Sequence, residues 1–254
     1  MTSEYKIKVL NMGSVTVDKG GMTRGTDCGT ELRIPQQAVA IEGNNLKIIC
    51  DTGVHSVDWV NANVSTVKDC VLKDDESLEG ALKHIGWKPE EVDYVINTHL
   101  HYDHCGGNYI FKGYKTKFVI QKKEWDFAFN PTPNQEQYYM TDLFNHKAVF
   151  PDQILLIDGE IELEDGIVLI PTPGHTKGHQ SVLINTEEGV VCFAADASNI
   201  YENIDKDIIG NILYDTYSGF KSMEDIRRKA EFIICGHEPR TEKYQTNNFM
   251  RIHV

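Results

Sequence analysis

Four side chains able to bind a metal, His99, His101, Asp103 and His104, fall within a six-residue stretch of this 254-residue chain. An apolar run from Val92 to Ile96, broken only by Asp93 and Tyr94, precedes them and reads as a strand; Gly106-Gly107 follows and lets the chain turn sharply. Three further candidates each close a strand-like run: His175 after Val168 to Pro173, Asp196 after Cys192 to Ala195, and His237 after Ile233 to Gly236. One histidine at a strand end is usually structural, but three beside a ligand-dense segment point to a shared site. Five imidazoles and two carboxylates suit borderline divalent ions, zinc first, with iron, manganese or cobalt as alternatives. Because side chains alternate along an extended chain, His99 and His101 point the same way and can share one ion, while Asp103 and His104 on the following turn reach a second. Seven ligands for two ions leave coordination positions open to water, as in a hydrolytic site rather than a closed structural one.

Other residues have a functional and a plain reading. Asp51, in Asp51-Thr52-Gly53 at the end of an apolar run, could accept the second N–H of a metal-bound histidine, or simply form an Asx turn. Cys105 beside the ligand cluster reads as a small packing residue, His84 as a helix-surface residue and His146 as structural.

The elements that must position these ligands are legible in outline. Tyr5 to Met12, Gln37 to Glu42 and Leu46 to Asp51 read as strands, the last two joined as a hairpin by Gly43-Asn44-Asn45. Residues 13 to 36, rich in Gly, Thr and charge, read as a long loop forming a pocket wall. Ser77 to Ile85 has helical periodicity with Gly86 as its stop, and Lys122 to Phe129 and Met223 to Glu231 read as further helices. Residues 130 to 152 read as an irregular excursion whose aromatics Tyr138, Tyr139, Phe144 and Phe150 cover a pocket or fill the core. The strand-like runs Lys117 to Ile120, Gln153 to Ile157, Ile161 to Leu163, Ile167 to Ile170, Gln180 to Asn185, Val190 to Ala195 and Phe232 to Cys235 complete an α/β pattern of two similar halves, read as one domain over residues 1–254.

Composition narrows the function classes. A formal net charge of −13 opposes nucleic acid and anionic membrane surfaces. The longest apolar runs fall far short of the roughly 20 residues of a membrane span. No secretory signal is visible, so a cytoplasmic location is expected, with the six cysteines, which form no C-x-x-C pair, reduced.

The H-x-H-x-D-H pattern from His99 to His104, the Thr172-Pro173-Gly174-His175-Thr176-Lys177-Gly178-His179 stretch, and Asp196 and His237 in order and spacing together resemble the metallo-β-lactamase superfamily, over roughly residues 35 to 240. The resemblance implies a four-layer αββα sandwich. It implies that His99, His101 and His175 bind one metal, that Asp103, His104 and His237 bind the other, and that Asp196 bridges. His179 is then a packing or supporting residue. Within the superfamily the chain looks most like the N-acyl homoserine lactonase branch, whose members are often dimers; small-molecule lactones are the implied substrates. One departure concerns the tyrosine that such lactonases carry three residues after the bridging Asp: Asn199 stands there, and a tyrosine appears only at Tyr201. The expectation is hydrolysis of a cyclic ester by a metal-bridging hydroxide, with Asp103 as proton shuttle and Asn199 or Tyr201 donating a hydrogen bond to the oxyanion. A thioesterase of glyoxalase II type or a cyclic amide hydrolase on the same metals is the alternative. A phosphodiesterase would call for more cationic groups near the metals than this acidic chain offers.

Overall fold

A computed structural model describes residues 4–143, 152–241 and 250–252. The first half runs β1 (Lys6–Asp18), α1 (Lys19–Met22), β2 (Glu31–Gly43), β3 (Leu46–Cys50), α2 (Val57–Asn63), β4 (Val67–Val71), α3 (Leu78–Ile85), β5 (Tyr94–Ile96), α4 (Tyr102–Cys105), β6 (Lys117–Gln121), α5 (Lys122–Ala128) and β7 (Ile154–Ile157). The second runs β8 (Ile161–Glu164), β9 (Ile167–Pro171), β10 (Gln180–Thr186), β11 (Gly189–Ala195), α6 (Tyr201–Lys206), α7 (Thr216–Lys229), β12 (Phe232–Cys235) and β13 (Met250–Arg251). Each half makes one sheet: seven strands in the order β4-β1-β2-β3-β5-β6-β7, and six in the order β13-β12-β11-β10-β9-β8.

Side-chain alternation explains why the sheets stack with helices outside. Along β2 and β3, Val39, Ile41, Ile48 and Cys50 face the second sheet, where they meet Leu169, Val182, Ile184, Val191 and Phe193. The intervening Ala38, Ala40 and Ile49 face the other way, onto Leu78, Ala81 and Leu82 of α3 and Phe127 and Ala128 of α5. In the second sheet Leu183, Cys192, Ala194 and Ile233 likewise face Ile204 of α6 and Met223 and Ile226 of α7. The result is the αββα layering. Each fully buried Ile or Phe of the inter-sheet layer contributes about 1.5–3 kcal/mol. The rim ion pairs, such as Lys68–Glu31, are solvent-exposed and are worth about 0–1 kcal/mol each, so the apolar layers hold the sandwich together.

Within each sheet, the strands that lead to ligands run the same way. β3 and β5 are parallel, β11 and β12 are parallel, and β9 matches β11 through the antiparallel β10. Each sheet thus delivers its ligands at one end, and the convergence of His99, His175, Asp196 and His237 places the two ends on one edge of the sandwich. The halves are stitched there by main-chain bonds, from Gln180 N to Thr98 O (2.9 Å) and from Gln37 N to Gly236 O (3.1 Å).

Several expectations need correction. Residues 13 to 36 are mostly a long hairpin: β1 continues to Asp18, β2 starts at Glu31, and only the tip is irregular. A register break between Asn11 and Ser14, at a Gly13 of φ 101°, interrupts the alternation that would have revealed the rest of the strand. Helix α7 begins at Thr216, where the Asp215 carboxylate accepts Ser218 N, rather than at Met223. Helices α2 and α6 and strand β4 had no sequence counterpart. Phe144, His146 and Phe150 lie outside the described residues.

At Gly178 the halves approach too closely for a side chain, since a Cβ added there would stand 1.9 Å from Glu124 N at the start of α5. Gly178→Ala is expected to cost about 3 kcal/mol, because backbone must shift. A thermal melt should show Tm lowered by roughly 10 °C; an unchanged Tm would mean that the junction yields freely.

Candidate metal centre

The segment after β5 is pinned before it delivers any ligand. Asn97 Nδ2 donates to His104 O (3.1 Å), Asn108 Nδ2 donates back to Asn97 Oδ1 (2.8 Å), and Thr52 N donates to His104 O (2.9 Å). Helix α4 then starts just after His101 and carries Asp103 and His104 on its single turn. Two non-glycine residues adopt positive φ where strands hand over carboxylates: Asp51 (61°) after β3, and Ala195 (44°) before Asp196. Gly236 leaves room for the Asp196 side chain, since a Cβ there would lie 2.3 Å from Asp196 Oδ1.

All seven sequence candidates for ligands converge, and each is buried. Ligand atoms lie within 4.8 Å of one another in the sets His99/His101/His175, Asp103/His104/His237 and His99/His104/Asp196. Asp196 stands between the first two sets, with Oδ2 3.2 Å from His175 Nε2 and Oδ1 3.1 Å from His237 Nε2 and 3.5 Å from His104 Nε2. His99 Nε2, His104 Nε2 and Asp196 Oδ1 are buried without a hydrogen-bond partner among the described residues. Buried polar atoms normally have partners, so orphans converging on one point fit divalent cations.

The outward nitrogens of His99, His101, His104 and His237 are engaged, which turns the other nitrogen of each ring toward the centre. His104 Nδ1–H donates to Asp51 Oδ2 (2.8 Å) and His237 Nδ1–H to Pro35 O (2.9 Å). Thr98 Oγ1–H donates to Asp51 Oδ2 (2.7 Å) and accepts from His99 Nδ1–H (3.1 Å). Asp51 is thus the orienting carboxylate and not merely a turn residue. Two partners were invisible in the sequence. Gln135 reaches His101, and fully buried Glu124 accepts from Leu100 N (3.0 Å), Thr176 Oγ1 (2.6 Å) and Gly178 N (3.2 Å), which ties the His99–His101 segment to the loop carrying His175. Both lie in unremarkable polar stretches, and no local pattern marks them.

Electrostatics divide the site. Burial, with neighbouring imidazoles adding to it, holds His99 and His101 well below the usual histidine range. Burial also disfavours the His104 cation, yet Asp103, Asp196 and Asp51 together push that ring up to about 10. Asp196 is held well below the usual carboxylate range: burial opposes its charge, but His237, His104 and His175 outweigh it. The three carboxylates thus create a field that demands a cation.

Above the centre lies a cavity of about 500 Å³. His101, Asp103, His175, Asp196 and His237 form its floor, and Val15, Val17, Met22, Ile34, Tyr138 and Ile212 line its apolar walls. Asn199 lines it too. Tyr201 does not: as the first residue of α6 it turns into the layer under the second sheet, with the Arg240 guanidinium 4.8 Å from its ring centre and its N–H on Glu238. The expected role for Tyr201 at the substrate is therefore withdrawn, because helix initiation at 201 points its ring away from the cavity. His179 is fully buried, accepting or donating at Nδ1 to Thr172 Oγ1 (2.8 Å), and belongs to none of the ligand sets.

The sequence profile of the Metallo-beta-lactamase superfamily matches residues 33–237, and the chain belongs to that superfamily. Among curated relatives, an N-acyl homoserine lactonase of Bacillus cereus is 29% identical, covering 94% of this chain and 95% of its own. A further N-acyl homoserine lactonase, from Azorhizobium caulinodans, is 25% identical, covering 93% of this chain and 94% of its own. Among solved structures, an N-acyl homoserine lactone hydrolase with the product N-hexanoyl-L-homoserine bound at the catalytic metal centre superposes with a TM-score of 0.80 at 25% identity, covering 98% of this chain and 100% of that one. A mutant of Bacillus thuringiensis AiiA with N-decanoyl-L-homoserine at the active site gives 0.80 at 26%, with the same coverage.

Asp51→Ala removes the carboxylate behind His104 and strands the Thr98 donors. Metal affinity measured against a competing chelator should fall 10–100-fold; parental affinity would show that Asp51 only shapes the turn.

Proposed function

We propose that the chain is a two-metal lactonase that opens a cyclic ester, with N-acyl homoserine lactones as its substrates and zinc as its metal. The observation that carries this reading is the pair of ligand sets with Asp196 between them, on the floor of an apolar-walled cavity of about 500 Å³. Curated relatives and ligand-bound structures of the same extent and fold support the substrate class. A net charge of −13 speaks against polyanionic substrates. Among the described residues no helix is long and apolar enough to cross a membrane. Six free cysteines, five of them buried, support a reducing compartment such as the cytoplasm.

His99, His101 and His175 would hold one ion, Asp103, His104 and His237 the other, and Asp196 both. When bound, the ions would supply a nucleophilic hydroxide at neutral pH and polarise the ester carbonyl. The remaining work falls to the chain. The apolar walls take the acyl part and exclude water from the reacting carbonyl. Asn199, anchored by its carbonyl accepting His237 N (2.8 Å), has a side-chain amide with no hydrogen-bond partner among the described residues, and it donates to the developing oxyanion. Such a donor is worth about 3 kcal/mol. Asp103 carries the proton to the departing ring oxygen; its Oδ2 lies 3.7 Å from His104 Nε2 and 3.8 Å from His237 Nε2, with the Gln36 amide 3.4 Å away.

Metal analysis with a panel of acyl lactones, thioesters, cyclic amides and bis-p-nitrophenyl phosphate tests the reading. Ring opening of the lactones, seen as one acid released and one water added, should exceed the other activities; preferred thioester or amide cleavage would replace the assignment. Asn199→Ala should lower kcat about 100-fold with KM little changed. Asp103→Asn with both metals retained should lower kcat at least about 100-fold, and undiminished turnover would remove its shuttle role.

A further inference from the structure

Gln135 is fully buried in the stretch between α5 and β7, outside every strand and helix that carries a ligand. Its backbone is fixed by turns on both sides, with its N–H on Thr132 O (2.8 Å) and its carbonyl accepting Tyr138 N (3.0 Å). Its side chain touches two ligands of the same set: Nε2 is 2.6 Å from His175 O, and Oε1 is 3.1 Å from His101 Nε2.

These contacts have only one consistent assignment. The His175 carbonyl can only accept, so the Gln135 nitrogen must face it. The Gln135 oxygen is then left for His101 and can only accept in turn. His101 must therefore carry its proton on Nε2, which leaves Nδ1 bare. Nδ1 is the nitrogen that faces inward, 3.1 Å from His175 Nε2. A main-chain carbonyl thus sets an amide, the amide sets a tautomer, and the tautomer sets the donor atom. The other set does not depend on this chain of bonds, because His104 and His237 are oriented by Asp51 and the Pro35 carbonyl.

We propose that Gln135 is the positioning residue of the His99/His101/His175 site: its amide, held by the His175 carbonyl, locks His101 as an Nδ1 ligand and joins the two loops that supply that ion's ligands. This rests on the two-metal reading above and adds that one ion, and not the other, depends on Gln135. A neutral amide also gives His101 less electron density than Asp51 gives His104, so the two ions are supported unequally from behind.

The test compares the full-length parent chain with Gln135→Met, which keeps length but removes both hydrogen bonds, and Gln135→Glu, which keeps an acceptor for His101. Each is stripped, reloaded with zinc against a chelator of known affinity, and counted for ions per chain. The parent should hold two ions. Gln135→Met should hold one at parental affinity and bind the second at least about tenfold more weakly, and Gln135→Glu should bind that second ion more tightly than Gln135→Met does. Equal weakening of both ions, or no weakening, overturns the proposal. A second measurement needs no variant: ¹⁵N-histidine NMR of the zinc-loaded parent should show His101 protonated at Nε2 and coordinated through Nδ1, and the opposite pattern overturns the assignment even if Gln135→Met does not fold. A parent that binds no zinc removes the two-metal reading and this proposal with it, whereas a parent that holds two ions and opens no lactone removes only the function.

Discussion

The structure depends on keeping uncompensated charge and bare imidazole nitrogen out of water at one edge of a β-sandwich. Asp51 has no exposed surface and meets Thr98 N, Thr98 Oγ1 and His104 Nδ1 at 2.7–2.8 Å. Burial alone drives its carboxyl up, and those donors oppose the shift. A carboxylate so placed is tolerable only while its partners stay in place, which fixes the end of β3, the start of the ligand segment and the His104 ring together. The same logic extends to Asp196 among three histidines. Two buried carboxylates that each demand positive charge make a cation part of the architecture and not only of the chemistry.

The scaffold separates tasks that would otherwise compete. Apolar layers on both faces of each sheet supply the stability, so the edge is free to hold strained and polar features: positive φ at Asp51 and Ala195, and orphaned nitrogens on His99 and His104. The ligand loops are braced across the halves by groups far apart in the chain, as with Glu124 on Leu100, Thr176 and Gly178. Bracing of this kind holds the ligand side chains in their geometry.

The cavity above the centre takes its shape from segments that look unstructured in sequence. The tip of the β1–β2 hairpin is held against the region around α6 and α7: Asn203 Nδ2 donates to Met22 O (2.8 Å), and Asn211 N to Gly21 O (2.8 Å). Lys19 bridges to Glu202 (3.0 Å). From the opposite side Tyr138 meets Thr66 across 3.2 Å. The cavity walls are thus set by the β1–β2 hairpin and by contacts between distant loops, whereas most of the candidate ligands follow strand ends.

Much was legible in the residues themselves. The ligand types, their spacing from His99 to His104 and the strand-like runs before His175, Asp196 and His237 are local, because a strand announces itself by alternation and a ligand by its side chain. The hairpin at Asn44-Asn45 and the helix from Ser77 to Gly86 are local for the same reason. Strand β1 beyond Gly13 was hidden by a register break, and α2 and α6 each bury few apolar side chains and show no clear apolar period. The direction of Tyr201, the bracing by Glu124 and the hydrogen bond from His101 to Gln135 are decided only in three dimensions. Each depends on which groups from distant segments become buried together, and the cost of burying a polar atom without a partner is charged by the neighbours that tertiary packing supplies, not by the residues beside it in the chain.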